Sequence, residues 1–346
     1  MDFSLDDDQQ LIVETVRKLS DRELRTWAAD ADRAGAPPDR LAHVAGELGL
    51  MVDAVPAEAG GLLEGPYSHL TRALRGYELG RGCAAIAALL ECNVEPALAV
   101  AQWGSPAAKQ ALFGSLTAGG YATLYHDSRG QMTVDGDRVS GRALAPALAV
   151  ASHVLVATGS SLVLVPTAGA RIEATTPSGW RAARWAIATF EGHKGFVLDG
   201  GSVESVLAWA RTSLAARAVG VAVAAMEHAE KYGKERVQFG QPIGAFESLI
   251  RLRDDALTTA AAARLLALHA AWLVDRGDAR AFDTASRARV IAGDCVARAT
   301  IDAVQIFGGY GFVNDYPVEK LMRDARAFEA LLGDERLGRV LSQKAV

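Results

Sequence analysis

The sequence predicts a mainly α-helical protein with a small β unit set between two helical ones. Three observations predict it. Apolar residues recur at helical spacing in the first third of the chain. Between 121 and 201, Val, Thr and Gly rise and the apolar runs shorten. After 202, long stretches rich in Ala, Leu, Arg and Glu return. Helices, then strands, then helices is a segregated order, which argues against a doubly wound parallel sheet. The predicted units are a helical one at 1–120, a β one at 121–201 and a helical one at 202–346.

Each element has a local reason. Leu11, Ile12, Val16 and Leu19 mark the first helix, and the Asp6-Asp7-Asp8 run suits its N-terminus, where free backbone N–H groups favour negative charge. Gly60-Gly61 and Gly119-Gly120 punctuate the first unit. In the second, residues 131–139 read as a hairpin around an Asp135-Gly136 turn. The runs 154–156 and 162–165 read as buried strands joined by a Gly-Ser-Ser turn. In the third, 207–235, 246–274 and 281–307 read as long helices.

Composition excludes several classes. The chain has 346 residues, 50% hydrophobic and 22% charged, too apolar for a disordered protein. A formal net charge of −5 gives no basic footprint for nucleic acid. Three cysteines, with no CxxC pair, exclude a disulfide framework and a cysteine zinc site and fit a reducing cytoplasm. The acidic start lacks the features of a secretory signal. The longest uncharged stretch, 143–170, is long enough for a membrane span but is broken by Pro146, His153, Gly159 and Pro166, so no span is expected. The seven histidines show no ligand pairing, and no phosphate loop, HExxH or GxSxG is present.

Two segments stand out. Glu235 to Ile243 places Arg236, Gln238, Phe239 and Gly240 at a break between long helices. A guanidinium fork beside a glycine suits a diphosphate, although an ordinary interhelix loop has the same composition. Gln305 to Phe312 holds Gly308, Gly309 and Gly311 within four residues. Such a cluster demands special backbone angles or close contact with a flat or anionic group, or else it is a glycine-rich helix end.

Together, in this order, these segments resemble the acyl-CoA dehydrogenase family. The pattern Arg-x-x-Phe-Gly-x-Pro-Ile stands at 236–243 and Gln-Ile-x-Gly-Gly-x-Gly at 305–311. Tyr-Pro-Val-Glu follows at 316–319 and Arg-Asp-Ala at 323–325. Arg-x-x-x-Ala-Ala-x-Ala-x-Gly stands at 211–220. The resemblance implies a helical N-terminal domain, a β-barrel-like middle domain and a C-terminal four-helix bundle. It also implies FAD-dependent α,β-desaturation of an acyl-CoA thioester. In the family the two segments reach across a subunit interface to the ADP half of a neighbour's FAD, which carries over to Arg236, Gln238, Phe239, Gln305, Gly308 and Gly309.

Other positions depart from the family pattern. The usual catalytic glutamate falls on Leu332 and the alternative base position on Ala210, and neither can accept a proton. Tyr125-His126-Asp127-Ser128 replaces the expected Thr-Glu-Pro and Gly-Ser-Asp run, and 143–147 replaces the Trp-Ile-Thr that lines the flavin ring. The resemblance therefore implies a degenerate partner subunit, as in the α2β2 heterotetramers of bacterial steroid side-chain degradation. The acyl-CoA substrate would sit mainly on a companion chain, and an electron-transfer flavoprotein would accept the electrons. Two alternatives stand beside it: a self-sufficient enzyme with a displaced base at Glu329, Asp334 or Glu335, and a scaffold without flavin.

Overall fold

The structure, a computed structural model, describes residues 4–329 and 331. Asp6 begins helix α1 (Asp7–Leu19) with a capping box. Its carboxylate accepts from the Gln9 N–H at 2.8 Å, and the Gln9 side chain accepts from the Asp6 N–H. The buried face is Val13, Val16 and Leu19. Leu11, expected on that face, is 64% exposed, because it lies two residues and therefore about 200° round the helix from Val13.

A π-helical turn, Ser20–Leu24, leads into α2 (Arg25–Ala34), followed by α3 (Leu41–Glu47) and α4 (His69–Gly82). The short helices α5 (Ala84–Glu91), α6 (Val94–Trp103) and α7 (Pro106–Thr117) complete the first helical region. The last begins with a Ser105 cap and a proline whose missing N–H would have had no partner there.

Two four-stranded sheets follow. One has the order β1 (Tyr121–His126), β4 (Ala151–Thr158), β5 (Ser161–Pro166), β8 (Phe196–Val197), with β1 and β4 parallel. The other runs β2 (Thr133–Asp135), β3 (Arg138–Ala145), β7 (Ala186–Lys194), β6 (Arg171–Ala174), all antiparallel. The predicted hairpin is β2–β3 around Gly136, and the predicted Gly-Ser turn joins β4 to β5.

The barrel-like unit is thus two facing sheets that share a core of Val154, Val156, Val163 and Val165 with Ala143, Ala188 and Phe190. The alternate residues Leu155, Ala157, Leu162 and Leu164 pack on α6, α7 and the next helix. Burial of both faces explains why these strands read as unbroken apolar runs.

The last region holds α8 (Val203–Glu235), α9 (Glu247–Asp275), α10 (Ala281–Phe307) and α11 (Pro317–Glu329), packed as a four-helix bundle. Helix α4 lies along α8. The two backbones approach so closely that a methyl at Gly80 would strike the Arg217 backbone, and one at Gly220 the Tyr77 carbonyl.

Membrane-length apolar helices lie outside 143–170. The stretches Ala84–Trp103, Val203–Glu235 and Glu247–Asp275 are long and apolar enough to cross a membrane by length and composition. The apolar windows of the first two are 94% buried within the fold, and that of the third is 33% buried. Its outer face shows Leu265 and Trp272. All three cysteines are buried free thiols.

Candidate functional site

Helix α8 ends where Arg236 turns to an extended conformation. Strands β9 (Val237–Gln238) and β10 (Gln241–Pro242) then pair antiparallel across Phe239-Gly240. Both turn residues have positive φ, +52° for Phe239 and +81° for Gly240. Two-residue hairpins need this geometry, and glycine suits it, but a phenylalanine there is strained. Phe239 is 94% exposed, with one edge toward Phe246. The Gln238 side chain donates to its own strand at Val237 O. The Arg236 guanidinium is exposed, makes no ion pair among the described residues, and lies 5.7 Å over the Tyr310 ring.

Tyr310 belongs to the second segment. Helix α10 stops at Gly308, whose φ of +58° and ψ of −134° suit glycine almost alone. Gly311 is required by packing, since a Cβ there would come within 2.6 Å of Val304 O. Gly309 is required by neither: its φ is ordinary, and a Cβ would meet nothing within 4 Å. Stacking of Tyr232 on Phe307 at 4.2 Å, with Tyr316 against both, ties the two helix ends together. The structure thus brings Arg236 beside the Gly308–Gly309 turn. Gln305 is exposed on the last turn of α10, and Gln238 and Phe239 stand at the hairpin tip.

The other end of α8 is buried. A cavity of about 60 Å³ is lined there by Glu91, Glu95, Thr123, Trp180, Ala210 and Arg217, among others. Ala210 does occupy the wall of this cavity, and Leu331 borders it. Leu332, Asp334 and Glu335 lie outside the described residues, and for Glu329 only the backbone, in α11, is described.

The β-side positions are committed to local structure. Asp127 accepts from the N–H groups of Gln131 and Met132 and from the Thr158 hydroxyl. Burial opposes its charge, but the Met132 and Gln131 donors win and hold its carboxyl below the usual range. Thr123 donates to Pro146 O. Along β3, Ala143 and Ala145 are buried and Leu144 is exposed, with no hydroxyl or amide side chain among them.

Sequence reasoning missed what fills the space beside this cavity. Arg72 pairs with Glu91 and with Glu95, each at 2.7 Å. Arg75 pairs with Glu91 at 2.7 Å and with Asp53 at 2.6 Å. Arg72 and Glu91 are almost fully buried. Burial pushes the Glu91 carboxyl up, but Arg75, Arg72 and Arg217 outweigh it and hold it at about 2. A carboxylate held so low is a poor base at neutral pH. One signal was available: Glu91 ends the otherwise apolar run Ala84–Leu90, where a charge needs a buried partner.

A helical region, two facing sheets and a bundle, with an exposed cationic glycine turn at one end of α8 and a small, mostly apolar-walled cavity at the other, form the architecture that the resemblance to acyl-thioester dehydrogenases implies. The comparisons bear this out. The N-terminal domain model of acyl-CoA dehydrogenases matches residues 6–120 and the C-terminal domain model residues 200–345, and the chain belongs to the acyl-CoA dehydrogenase family. This is a family of FAD-dependent oxidoreductases acting on CH–CH bonds.

Over nearly full length the chain is similar to cyclohex-1-ene-1-carbonyl-CoA dehydrogenase of Geobacter metallireducens. They are 28% identical over 385 aligned positions, which cover 99% of this chain and 98% of the relative. An acyl-CoA dehydrogenase of Bacillus subtilis is 46% identical over 134 residues, 39% of this chain and 35% of that protein. Among solved structures, one described as the electron transferring flavoprotein of Acidaminococcus fermentans contains a chain with a TM-score of 0.87. It is 26% identical, covering 100% of this chain and 99% of that one. The 385 aligned positions exceed the 346 residues of this chain, so the relative holds segments that this chain lacks.

Proposed function

We propose that this chain is the supporting subunit of a heteromeric acyl-CoA dehydrogenase, lending its clamp to the FAD of a companion chain. One observation carries the reading: the cavity at the Ala210 end is small and its glutamates are held by arginines, whereas the clamp at the Arg236 end of the same helix stands exposed. From Ala210 to Arg236 the α8 axis runs about 39 Å, longer than a dinucleotide extends. A cofactor held at this chain's clamp cannot reach this chain's cavity.

The residues fit one half of the cofactor. Arg236 offers an unpaired planar fork to a diphosphate, and Gly309 leaves room for close approach along an exposed turn. Gln238, Phe239, Gln305 and Gly308 complete the clamp that enters the companion. The residues do not fit the other half. A 60 Å³ cavity is far below the roughly 300–1,000 Å³ of ordinary ligand pockets. Its carboxylates, Glu91 and Glu95, are held by arginines rather than free to take a proton. When bound, FAD supplies the hydride acceptor for desaturation; this chain's part is to hold the nucleotide end and leave α-proton removal to the companion.

The apolar residues on the outer faces of α9 and α10, Leu265, Trp272, Ile291 and Ile301, support a subunit contact in an α2β2 assembly. The acyl-CoA lies on the companion, and a bacterial steroid side chain is the acyl group the resemblance favours. Similarity to a chain from an electron transferring flavoprotein structure supports such a flavoprotein as acceptor. Three free thiols suit assembly in the cytoplasm.

The test is to purify the chain alone and together with its companion and to record visible flavin absorbance. The reading expects flavin only in the joint complex. A flavin-loaded, active homo-oligomer of this chain alone would refute it.

A further inference from the structure

A groove separate from both the clamp and the Ala210 cavity lies where four helices meet. Helices α4 and α8 begin at it, and α6 and α9 end at it. It is open to solvent and holds about 590 Å³, within the roughly 300–1,000 Å³ of ordinary ligand pockets. None of the residues that line it belongs to the clamp or to the Ala210 cavity.

Its floor is a run of packed rings. Trp209 is stacked between Trp103 at 5.6 Å and His69 at 5.5 Å, and Tyr67 meets His69 in a T-shape at 5.3 Å. Tyr67, His69 and Trp209 line the groove, with Leu98 and Val274 beside them. The Tyr67 hydroxyl is already used, donating to Asp53 at 3.1 Å. His69 is 7% exposed, and its side chain makes no hydrogen bond among the described residues. Burial, then Arg72, holds the imidazole at about 3, so it stays neutral and adds no positive charge to the groove.

The charges on the rim are of one sign. Glu58 and Asp275 are carboxylates, Gln102 and Ser205 are neutral, and no lysine or arginine lines the groove among the described residues. Nearby arginines are engaged elsewhere. Arg276 lies 4.8 Å over the Trp272 ring, Arg280 pairs with Asp278 at 2.8 Å, and Arg72 is held by Glu91 and Glu95. Glu58 is exposed and makes no ion pair or side-chain hydrogen bond among the described residues. Asp275 accepts from the N–H groups of His69 at 2.6 Å and Leu70 at 2.9 Å, and from the Ser68 hydroxyl at 3.4 Å. Partial burial outweighs these donors and holds its carboxyl above the ordinary range, so its charge is incompletely compensated. The helix ends do not reverse the sign, because two N-termini and two C-termini meet there and offset one another.

We propose that this groove binds a small organic monocation, an amine whose ring-sized apolar body lies on the Tyr67, His69 and Trp209 floor and whose ammonium is held at the acidic rim of Glu58 and Asp275. The same two carboxylates turn away anionic ligands of equal shape. The site is independent of the FAD clamp and of any companion chain.

The test uses the full chain as purified, with any co-purifying companion, and three probes of one shape: naphthylmethylammonium, naphthylmethanol and naphthoate. Titration calorimetry should show saturable binding of one ammonium per chain with a Kd of about 0.1–1 mM. The alcohol should bind roughly tenfold more weakly, since it forgoes attraction to two carboxylates near the surface, and the naphthoate should not bind. Glu58→Gln alters an exposed side chain without a partner. It should weaken the ammonium about threefold and leave the alcohol unchanged. Ala101→Phe fills the groove and should abolish binding of both. Equal affinity for all three probes, a preference for the naphthoate, or an ammonium affinity untouched by Glu58→Gln would each overturn the proposal. The probe comparison and Glu58→Gln decide it even if the Ala101→Phe chain does not fold.

Discussion

The two ends of helix α8 obey opposite rules. At the N-terminal end, around Ala210 and Arg217, side chains are buried and most polar groups are spent on one another. At the C-terminal end, Arg236 stands exposed and unpaired, Phe239 adopts a strained backbone at a hairpin tip, and Gly309 occupies a position with no local need for glycine. The first end is explained by this chain's own stability. The second is not: the strained Phe239 and the glycine at 309 have no local structural need, which the proposed contact with a companion's FAD would account for. The difference separates what the molecule keeps for folding from what it keeps for something it touches.

Breaking the buried end should produce the largest effect. Arg72→Met strands Glu91 and Glu95 without their shared cation and should lower unfolding free energy by about 3–5 kcal/mol, read by urea denaturation. Arg236→Gln tests the exposed end. It should leave the urea midpoint unchanged but cost about 1.5–3 kcal/mol of flavin binding in the complex, seen as loss of visible absorbance on dilution.

The glycines sharpen the contrast within four residues. Gly311→Ala presses a methyl on Val304 O and should cost about 1–3 kcal/mol of stability. Gly309→Ala should leave Tm untouched and weaken flavin retention alone. If both variants behave alike in the two assays, the separation drawn here fails.

Acid should discriminate least. Burial, then Arg72, presses His69 down to about 3, and burial, then Arg25, takes His228 to about 4, both from 6.5. These folded values lie below the unfolded one, so the unfolded chain binds more protons as pH falls from 6.5, and stability declines there. Glu91, held at about 2 against an ordinary 4.5, adds a second decline below pH 4.5. A Tm profile against pH should show both steps, with the upper one shallower in His69→Gln.

How far the sequence could be read depended on how local each signal is. The acidic helix start at Asp6-Asp7-Asp8, the Gly136 hairpin, the Gly159 turn and the three long helices depend on neighbours a few residues apart and were legible in the chain as written; the Asp6–Gln9 capping box was not read from it. The runs 154–156 and 162–165 announced burial on both faces. Leu11 was misplaced because a helix that begins at a surface shows apolar residues on more than one side.

The ionic network stayed hidden for a different reason. Asp53, Arg72, Glu91 and Arg217 are 19 to 164 positions apart, and only the packing of α4, α5, α8 and the segment before α4 brings them together. Nothing in an alanine-rich helix says which arginine turns inward. The clamp was read from the wording of its motifs. Its exposure, and the idle glycine at 309, needed coordinates.

The most direct measurement is the flavin-to-protein ratio of the assembled complex, with the clamp altered in one chain at a time. The account predicts one flavin for each pair of unlike chains. That flavin is lost when Arg236→Gln is placed in this chain and kept when the equivalent change is made in the companion. One flavin per chain, or flavin loss only from the companion's clamp, would contradict it.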